Sequence, residues 1–128
     1  MEDCYNRVEL CGEVLTLPEP SHTNHGETFY RFMLAVPRLS GQSDELPVLV
    51  RQSLLPEEMR EGDTVSVTGQ LRSFNNRSGQ GRWLILSVFA RNLTLTPGAS
   101  PANRICLYGA VCKPPVLRST PLGREICD

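Results

Sequence analysis

Strict alternation of apolar and polar residues in the segment Thr64–Leu71 constrains the fold of this chain more than any other feature. The segment divides into an apolar and a polar set, Val65, Val67 and Leu71 against Thr64, Ser66, Thr68 and Gln70. A period of two is typical of a strand with one face in a core and one face in water. We predict a strand at Thr64–Ser73 that returns as Arg82–Leu95, because the Asn and Gly residues between them tolerate the positive φ angles of a tight turn.

Three further strands are predicted before this hairpin: Asn6–Val14 and Thr28–Val36, which alternate in the same way, and the short segment Pro47–Arg51. Prolines and polar turn residues separate them, and the acids in Leu54–Asp63 favour a short helix there. Five strands with one short helix between the third and the fourth predict an all-β protein. The architecture that fits is a five-stranded Greek-key barrel of the oligonucleotide-binding (OB) type. In the fifth strand we expect four residues to face the core, Leu84, Leu86, Val88 and Ala90.

An internal repeat follows the predicted barrel. When the sequence is shifted by 97 positions, NRVELCGEV at Asn6–Val14 aligns with NRICLYGAV at 103–111, and eight positions match without a gap as far as Gly26 and Gly123. We therefore expect an OB domain at 1–95, a linker at 96–102 and the start of a second, incomplete OB-like repeat at 103–128. The repeat could reflect a shortened two-domain protein, a natural tail that lends strands to a neighbour by edge pairing, or chance similarity of short β segments.

Charge is distributed unequally along the chain. The formal net charge is −1, yet residues 1–63 hold twelve acids and five arginines, whereas residues 64–128 hold seven arginines, one lysine and two acids. A charged partner responds to the local electrostatic field and not to the net charge of the chain. The guanidinium group of arginine forms bidentate hydrogen bonds with phosphates and also stacks on bases. If the alternation continues past Leu71, Arg72 and Phe74 share the polar face, which is the combination that single-stranded nucleic acid requires. The alternative is a solvated sheet face with chance asymmetry.

Catalytic and metal-binding chemistry finds little support in this sequence. His22 and His25 share one predicted turn without Cys, Asp or Glu partners at metal or triad spacing, and no glycine-rich phosphate loop precedes a helix. We expect no enzyme, no metal and no cofactor. The five cysteines lack C-x-x-C spacing and are odd in number, which predicts reduced thiols. Without a membrane-spanning apolar run or a secretory signal pattern, we expect a cytoplasmic protein with no membrane partner.

Four motifs in order carry a family resemblance: NRV-x-L-x-G at 6–12, Phe32-x-Leu34-Ala35-Val36-x-Arg38 after Gly26, EGD-x-V-x-V-x-GQLR at 61–72, and GQGR at 79–82. Together they cover roughly residues 5–95 and resemble the N-terminal domain of bacterial single-stranded-DNA-binding proteins. The resemblance implies an OB barrel that binds single-stranded DNA without sequence preference in replication, recombination or repair. It also implies a homo-oligomer, a dimer or a tetramer, with replication or repair proteins as further partners.

The resemblance also implies where DNA would be bound. It places Phe74 at a base-stacking position in the hairpin that connects the fourth and fifth strands. The full set of predicted nucleic-acid-binding residues is Phe74, Trp83, Arg72, Arg77, Arg82, Arg31, Arg38 and Arg51. The chain departs from the family at the third strand, LPVLV at 46–50, where the family usually begins with a tryptophan. The competing hypothesis is an OB-fold protein-interaction or primosome-type accessory module with weak or no DNA binding.

Overall fold

The computed structural model describes residues 5–75, 79–81 and 84–128. Within these residues the strands in chain order are β1 (Asn6–Val14), β2 (Glu19–Asn24), β3 (Glu27–Pro37), β4 (Ser43–Arg51), β5 (Thr64–Asn75), β6 (Leu84–Leu95), β7 (Ala102–Leu107), β8 (Leu117–Ser119) and β9 (Glu125–Cys127). A short 3-10 helix, Gln52–Leu54, lies between β4 and β5. Among the described residues, no helix has the length and apolar character needed to cross a membrane.

Five of these strands close into a barrel. β3 pairs with β4, β4 runs parallel to β6, β6 pairs with β5, and β5 pairs with β1. The ring closes where Glu13 and Val14 at the end of β1 pair with Ala35 and Leu34 of β3. The predicted five-stranded OB-type barrel is confirmed. The helix between the third and fourth barrel strands is a single 3-10 turn just before the segment where the acids suggested it.

The apolar faces of the barrel strands form one continuous core. Its most deeply buried members, each no more than 2% exposed, are Val8, Leu10, Val14, Phe32, Leu34, Val36, Val48, Val50, Val65, Val67 and Ala90. Two glycines allow the strands to approach closely enough to close the ring. A Cβ atom at Gly12 would lie 2.2 Å from the carbonyl oxygen of Ala35, and one at Gly69 would lie 2.0 Å from that of Phe89.

Strand β2 was not predicted from the sequence. All six of its residues are exposed, so no apolar period marks it, and Pro20 was expected to end strand structure there. β2 is an edge strand on β3, where a missing backbone donor is tolerated. The two strands join through His25 and Gly26, whose φ angles of 51° and 78° are those of a tight hairpin turn.

The predicted core face of the fifth barrel strand is only half correct. Val88 and Ala90 are buried, but Leu84 and Leu86 are each 52% exposed. The reason is that β5 and β6 continue past the barrel as a two-stranded extension, in which residues 72–75 pair with residues 84–87. We call this extension the arm. Its strands keep the alternation of the barrel but have no core beneath them.

The C-terminal residues lie outside the barrel. β7 pairs antiparallel with β1, and β8 and β9 form a separate two-stranded sheet. Cys106 on β7 is disulfide-bonded, whereas Cys11, Cys112 and Cys127 are free thiols. The prediction of five reduced thiols is therefore wrong at Cys106, because the spacing of cysteines along the chain does not reveal which thiols the fold brings together. The proposed division at 96–102 stays a prediction.

Candidate nucleic-acid interface

A groove lies on the outer face of the barrel, where β2, β3 and β4 meet the arm. Its volume is about 420 Å³. Its apolar lining residues are Phe29, Pro47, Leu49, Phe74, Ile85 and Phe89, and its polar lining includes His22, Arg31, Arg72 and Ser87. Phe74 is half exposed in this groove and Phe29 is buried at its base, so aromatic rings and guanidinium groups share one lining.

Strand register explains why these side chains meet. Residues directly opposite each other in paired strands lie on the same face of the sheet. Arg31 is opposite Leu49, and Leu49 is opposite Phe89, so one row crosses β3, β4 and β6. Along the arm, Phe74 is opposite Ile85, and Arg72 is opposite Ser87. The polar phase of β5 and β6 therefore faces the groove, as the alternation of the sequence predicts.

Phe89 lies at the centre of a cluster of rings and one guanidinium group. The guanidinium carbon of Arg72 is 4.2 Å from the centroid of the Phe89 ring, and the ring centroid of Phe29 is 5.8 Å from it. The His22 ring stacks on Phe29 with centroids 5.0 Å apart and an interplanar angle of 9°. A second contact orients Arg72, whose Nη2 donates to Oε1 of Gln70 at 3.0 Å. Flat rings and a flat cation held side by side are a surface on which another flat ring can stack.

Two further arginines approach Phe89 from the barrel side. Arg51 and Arg91 line an adjoining depression together with Arg72 and Phe89. Nη1 of Arg51 lies 3.9 Å from a carboxylate oxygen of Glu27, and both side chains are 43% exposed. Such a solvated pair is weak, so a phosphate can compete for the guanidinium. The result is a positive rim around an aromatic centre.

A β-bulge determines the position of Arg91 on β6. The pairing of β5 with β6 shifts between Thr68 and Gly69, which leaves Arg91 as the extra residue on β6. Arg91 also lines a polar depression beside β1, together with Tyr5. The Tyr5 ring packs edge-on against Tyr108, with centroids 5.5 Å apart and an interplanar angle of 80°. The groove thus continues past Phe89 and Arg91 towards β1.

Ser87 is a buried polar residue in the groove lining. It is only 4% exposed, and its hydroxyl has no hydrogen-bond partner among the described residues. An unsatisfied buried hydroxyl costs about 1–3 kcal/mol.

The structure brings four of the eight predicted residues to this region. Phe74, 50% exposed, lines the groove with Arg72 and Arg31, and Arg51 lies in the adjoining depression. Arg77, Arg82 and Trp83 lie outside the described residues.

Arg38 lies elsewhere, just beyond β3. Its Nε donates to Oδ1 of Asp44 at 2.9 Å. This hydrogen bond, assisted by the charge of Arg38, lowers the pKa of the Asp44 carboxyl. The guanidinium of Arg38 is thus already held by a carboxylate away from the groove.

Three residues of the groove were not selected from the sequence: Phe29, Phe89 and Arg91. Phe89 alternates with the residues expected in the core of its strand, and Phe29 alternates with the core residues of β3, as Arg31 does. An aromatic residue on the face away from the core was therefore the available signal. The position of Arg91 depends on the bulge, for which the sequence gives no comparable signal.

No family model matches this sequence, and no curated protein matches it either. Solved structures do match. The wild-type single-stranded DNA binding protein from Thermus aquaticus is similar with a TM-score of 0.73 at 23% identity, covering 95% of this chain and 65% of that chain. A deletion mutant of the same protein gives a TM-score of 0.72 at 23% identity, with the same coverage. At this identity the likeness shows the fold alone, and this chain spans just under two thirds of those proteins.

The N-terminal domain of PriB protein from Thermoanaerobacter tencongensis, described as dimeric, is 45% identical with a TM-score of 0.61. The match covers 72% of this chain and 97% of that domain. The chain belongs to the bacterial single-stranded-DNA-binding protein family. The third barrel strand contributes only the aliphatic side chains of Pro47 and Leu49 to the groove.

Proposed function

We propose that this chain is a non-enzymatic module that binds single-stranded DNA without sequence preference in replication, recombination or repair. The observation that carries the proposal is the stack of Arg72 on Phe89, 4.2 Å apart, in a groove that also holds the half-exposed Phe74. Every base has a flat face, so stacking of this kind is tolerant of sequence. The bases would lie against Phe74 and the cluster around Phe89.

Phosphates would be held by the rim of the groove. Arg31, Arg51, Arg72 and Arg91 surround the aromatic centre, and the nearby acid Glu27 forms only a solvated pair with Arg51. Binding of these four guanidinium groups to phosphates releases counterions from the strand. Affinity should therefore fall steeply with salt.

The second candidate is a protein-interaction or primosome-type accessory module with weak DNA binding. The observation that favours it is the aliphatic pair Pro47 and Leu49 in the groove, because one stacking surface of the family is missing there. With about 1–3 kcal/mol for each stacked base, the loss of one such contact weakens binding by one or two orders of magnitude.

Fluorescence anisotropy of a labelled oligo-dT of about 35 nucleotides distinguishes the two candidates. Titrated at several salt concentrations, the protein should bind with a log–log salt slope of about −3 if four arginines engage phosphates. Replacement of Arg31 and Arg72 by Gln should weaken binding and flatten the slope. Arg118→Gln is the matched control, since Arg118 is an exposed arginine of β8 that pairs with Asp128, away from the groove. No binding at low salt would favour the accessory module.

A further inference from the structure

A β-bulge in the edge strand β2 places an imidazole ring at the end of the groove. The pairing of β2 with β3 shifts by one residue between Pro20 and His22, which leaves Ser21 as the extra residue. His22 therefore lies opposite Phe29, a position that Ser21 would take in a regular ladder. All six residues of β2 are exposed, so burial in a core does not account for the bulge. Its consequence is the position of the imidazole.

His22 completes a row of four flat groups across the groove. Its ring stacks on Phe29, Phe29 packs against Phe89, and the guanidinium group of Arg72 lies over Phe89. A permanent cation thus lies at one end of the row and an imidazole at the other. Histidine changes its charge between about pH 5 and about pH 8. The charge of the groove lining therefore depends on pH in this range.

The hydrogen bonding of His22 is compatible with both of its protonation states. Oγ of Ser21 lies 3.1 Å from Nδ1 of His22. A serine hydroxyl can donate to the neutral nitrogen and can accept from the protonated one. The side chain is exposed, and its Nε2 has no hydrogen-bond partner in the part of the chain that the structure describes. Nε2 is thus available to donate to a ligand.

The charged groups around this ring favour an anionic ligand. Four neighbouring strands each contribute a cation, which are Arg31 of β3, Arg51 of β4, Arg72 of β5 and Arg91 of β6. Among the described residues, no carboxylate lines the groove. The acids on the two nearest strands are Glu19 of β2, which lies opposite Arg31, and Glu27 of β3, which pairs with Arg51. A protonated imidazole here has no acid of its own to neutralise it.

We propose that His22 is a further contact for single-stranded DNA and that binding takes up a proton at its ring. This inference rests on the function proposed above. The protonated imidazole holds a phosphate at the β2 end of the groove, at the other end of the row from Arg72. A nearby anion favours the charged form of histidine, so the bound strand favours protonation. By linkage, the protein binds DNA more tightly at about pH 6 than at about pH 8.

The salt dependence of binding at these two pH values tests the proposal. Labelled oligo-dT of about 35 nucleotides is a suitable probe, because its phosphodiesters and thymines keep their charge between about pH 6 and about pH 8. At the lower pH, the wild type should bind roughly two- to fivefold more tightly, as one solvated charge contact predicts. The log–log salt slope should become steeper by up to about 0.7, because one more cation engages the strand.

Three variants separate this contact from other titrating groups. His22→Gln should remove both effects of pH. His22→Arg places a permanent flat cation opposite Phe29, so it should show at both pH values the slope that the wild type shows at the lower one. The matched control is His25→Asn, because His25 is exposed in the turn after β2 but does not line the groove. Asparagine tolerates the φ angle of 51° at this position, so the control should keep both effects.

The outcomes distinguish this contact from DNA binding as such. Equal affinity and equal slope of the wild type at both pH values would overturn the proposal, and so would a pH dependence that persists in His22→Gln. Loss of the dependence in His25→Asn, with circular dichroism unchanged, would also overturn it. In each of these cases DNA binding itself would stand. No binding at either pH would overturn the proposed function and this contact with it.

Discussion

Phe74 offers the sharpest test of the groove. It lies on the arm and is 50% exposed, so about half of its surface is available to a base. Full burial of such a side chain is worth about 1.5–3 kcal/mol, and stacking of one base on an aromatic ring about 1–3 kcal/mol. Phe74→Leu keeps apolar bulk but removes the flat ring, so we expect a loss of about 1–2 kcal/mol. This loss corresponds to roughly 5- to 30-fold in the dissociation constant.

Anisotropy titration with labelled oligo-dT measures this loss. No charge is removed, so the salt slope should stay unchanged, and urea unfolding should shift by less than about 0.5 kcal/mol because the residue lies outside the core. Leu84→Ala is the matched control, since Leu84 is 52% exposed on the same arm but opposite Asn75, and it does not line the groove. Equal losses for the two variants, or none for Phe74→Leu, would refute the assignment of the groove.

Three further outcomes are expected. Arg72→Gln should reduce the magnitude of the salt slope by about 0.7, which a titration series against salt measures. Gly69→Ala should destabilise the fold by about 1–3 kcal/mol or more in urea unfolding, because its Cβ would lie 2.0 Å from a backbone oxygen, whereas Gly109→Ala, with no atom within 4 Å, should not. In an NMR titration, Arg38→Gln should return the lowered pKa of Asp44 to its ordinary range. The pKa of the Asp44 carboxyl is lower in the folded than in the unfolded protein, so its pair with Arg38 stabilises the fold above the unfolded pKa. This contribution is lost as the pH falls through the folded pKa. The free energies of unfolding of wild type and Arg38→Gln should therefore converge at acid pH.

The barrel could be predicted because burial and sequence period coincide in its strands. Asn6–Val14 forms a strand with the predicted bounds, since nearly every second residue is apolar and enters the core. The same rule failed at Leu84 and Leu86, where the period continues but the barrel has ended. It also missed β2, which is held by backbone hydrogen bonds that carry no side-chain signature.

The site could be predicted only in part, for a related reason. Alternation placed Arg72 and Phe74 on the outer face of the arm, and the structure agrees. The position of Phe89 beside Arg72 depends on which strand pairs with β4, and that of Arg91 depends on a bulge. Both are properties of the closed barrel and not of any single segment.

The bulge at Gly69 couples the pairing of β5 with β6 to the position of Phe89 in the groove. The backbone of Gly69 approaches that of Phe89 more closely than a side chain would allow, at the point where the ladder between β5 and β6 changes register. The side chain of Phe89 extends from the same residue into the groove. Any local opening of this part of the ladder would displace the ring and with it the cation that lies on it. On warming, the groove should therefore lose its order when this stretch of the ladder opens, before the barrel unfolds as a whole.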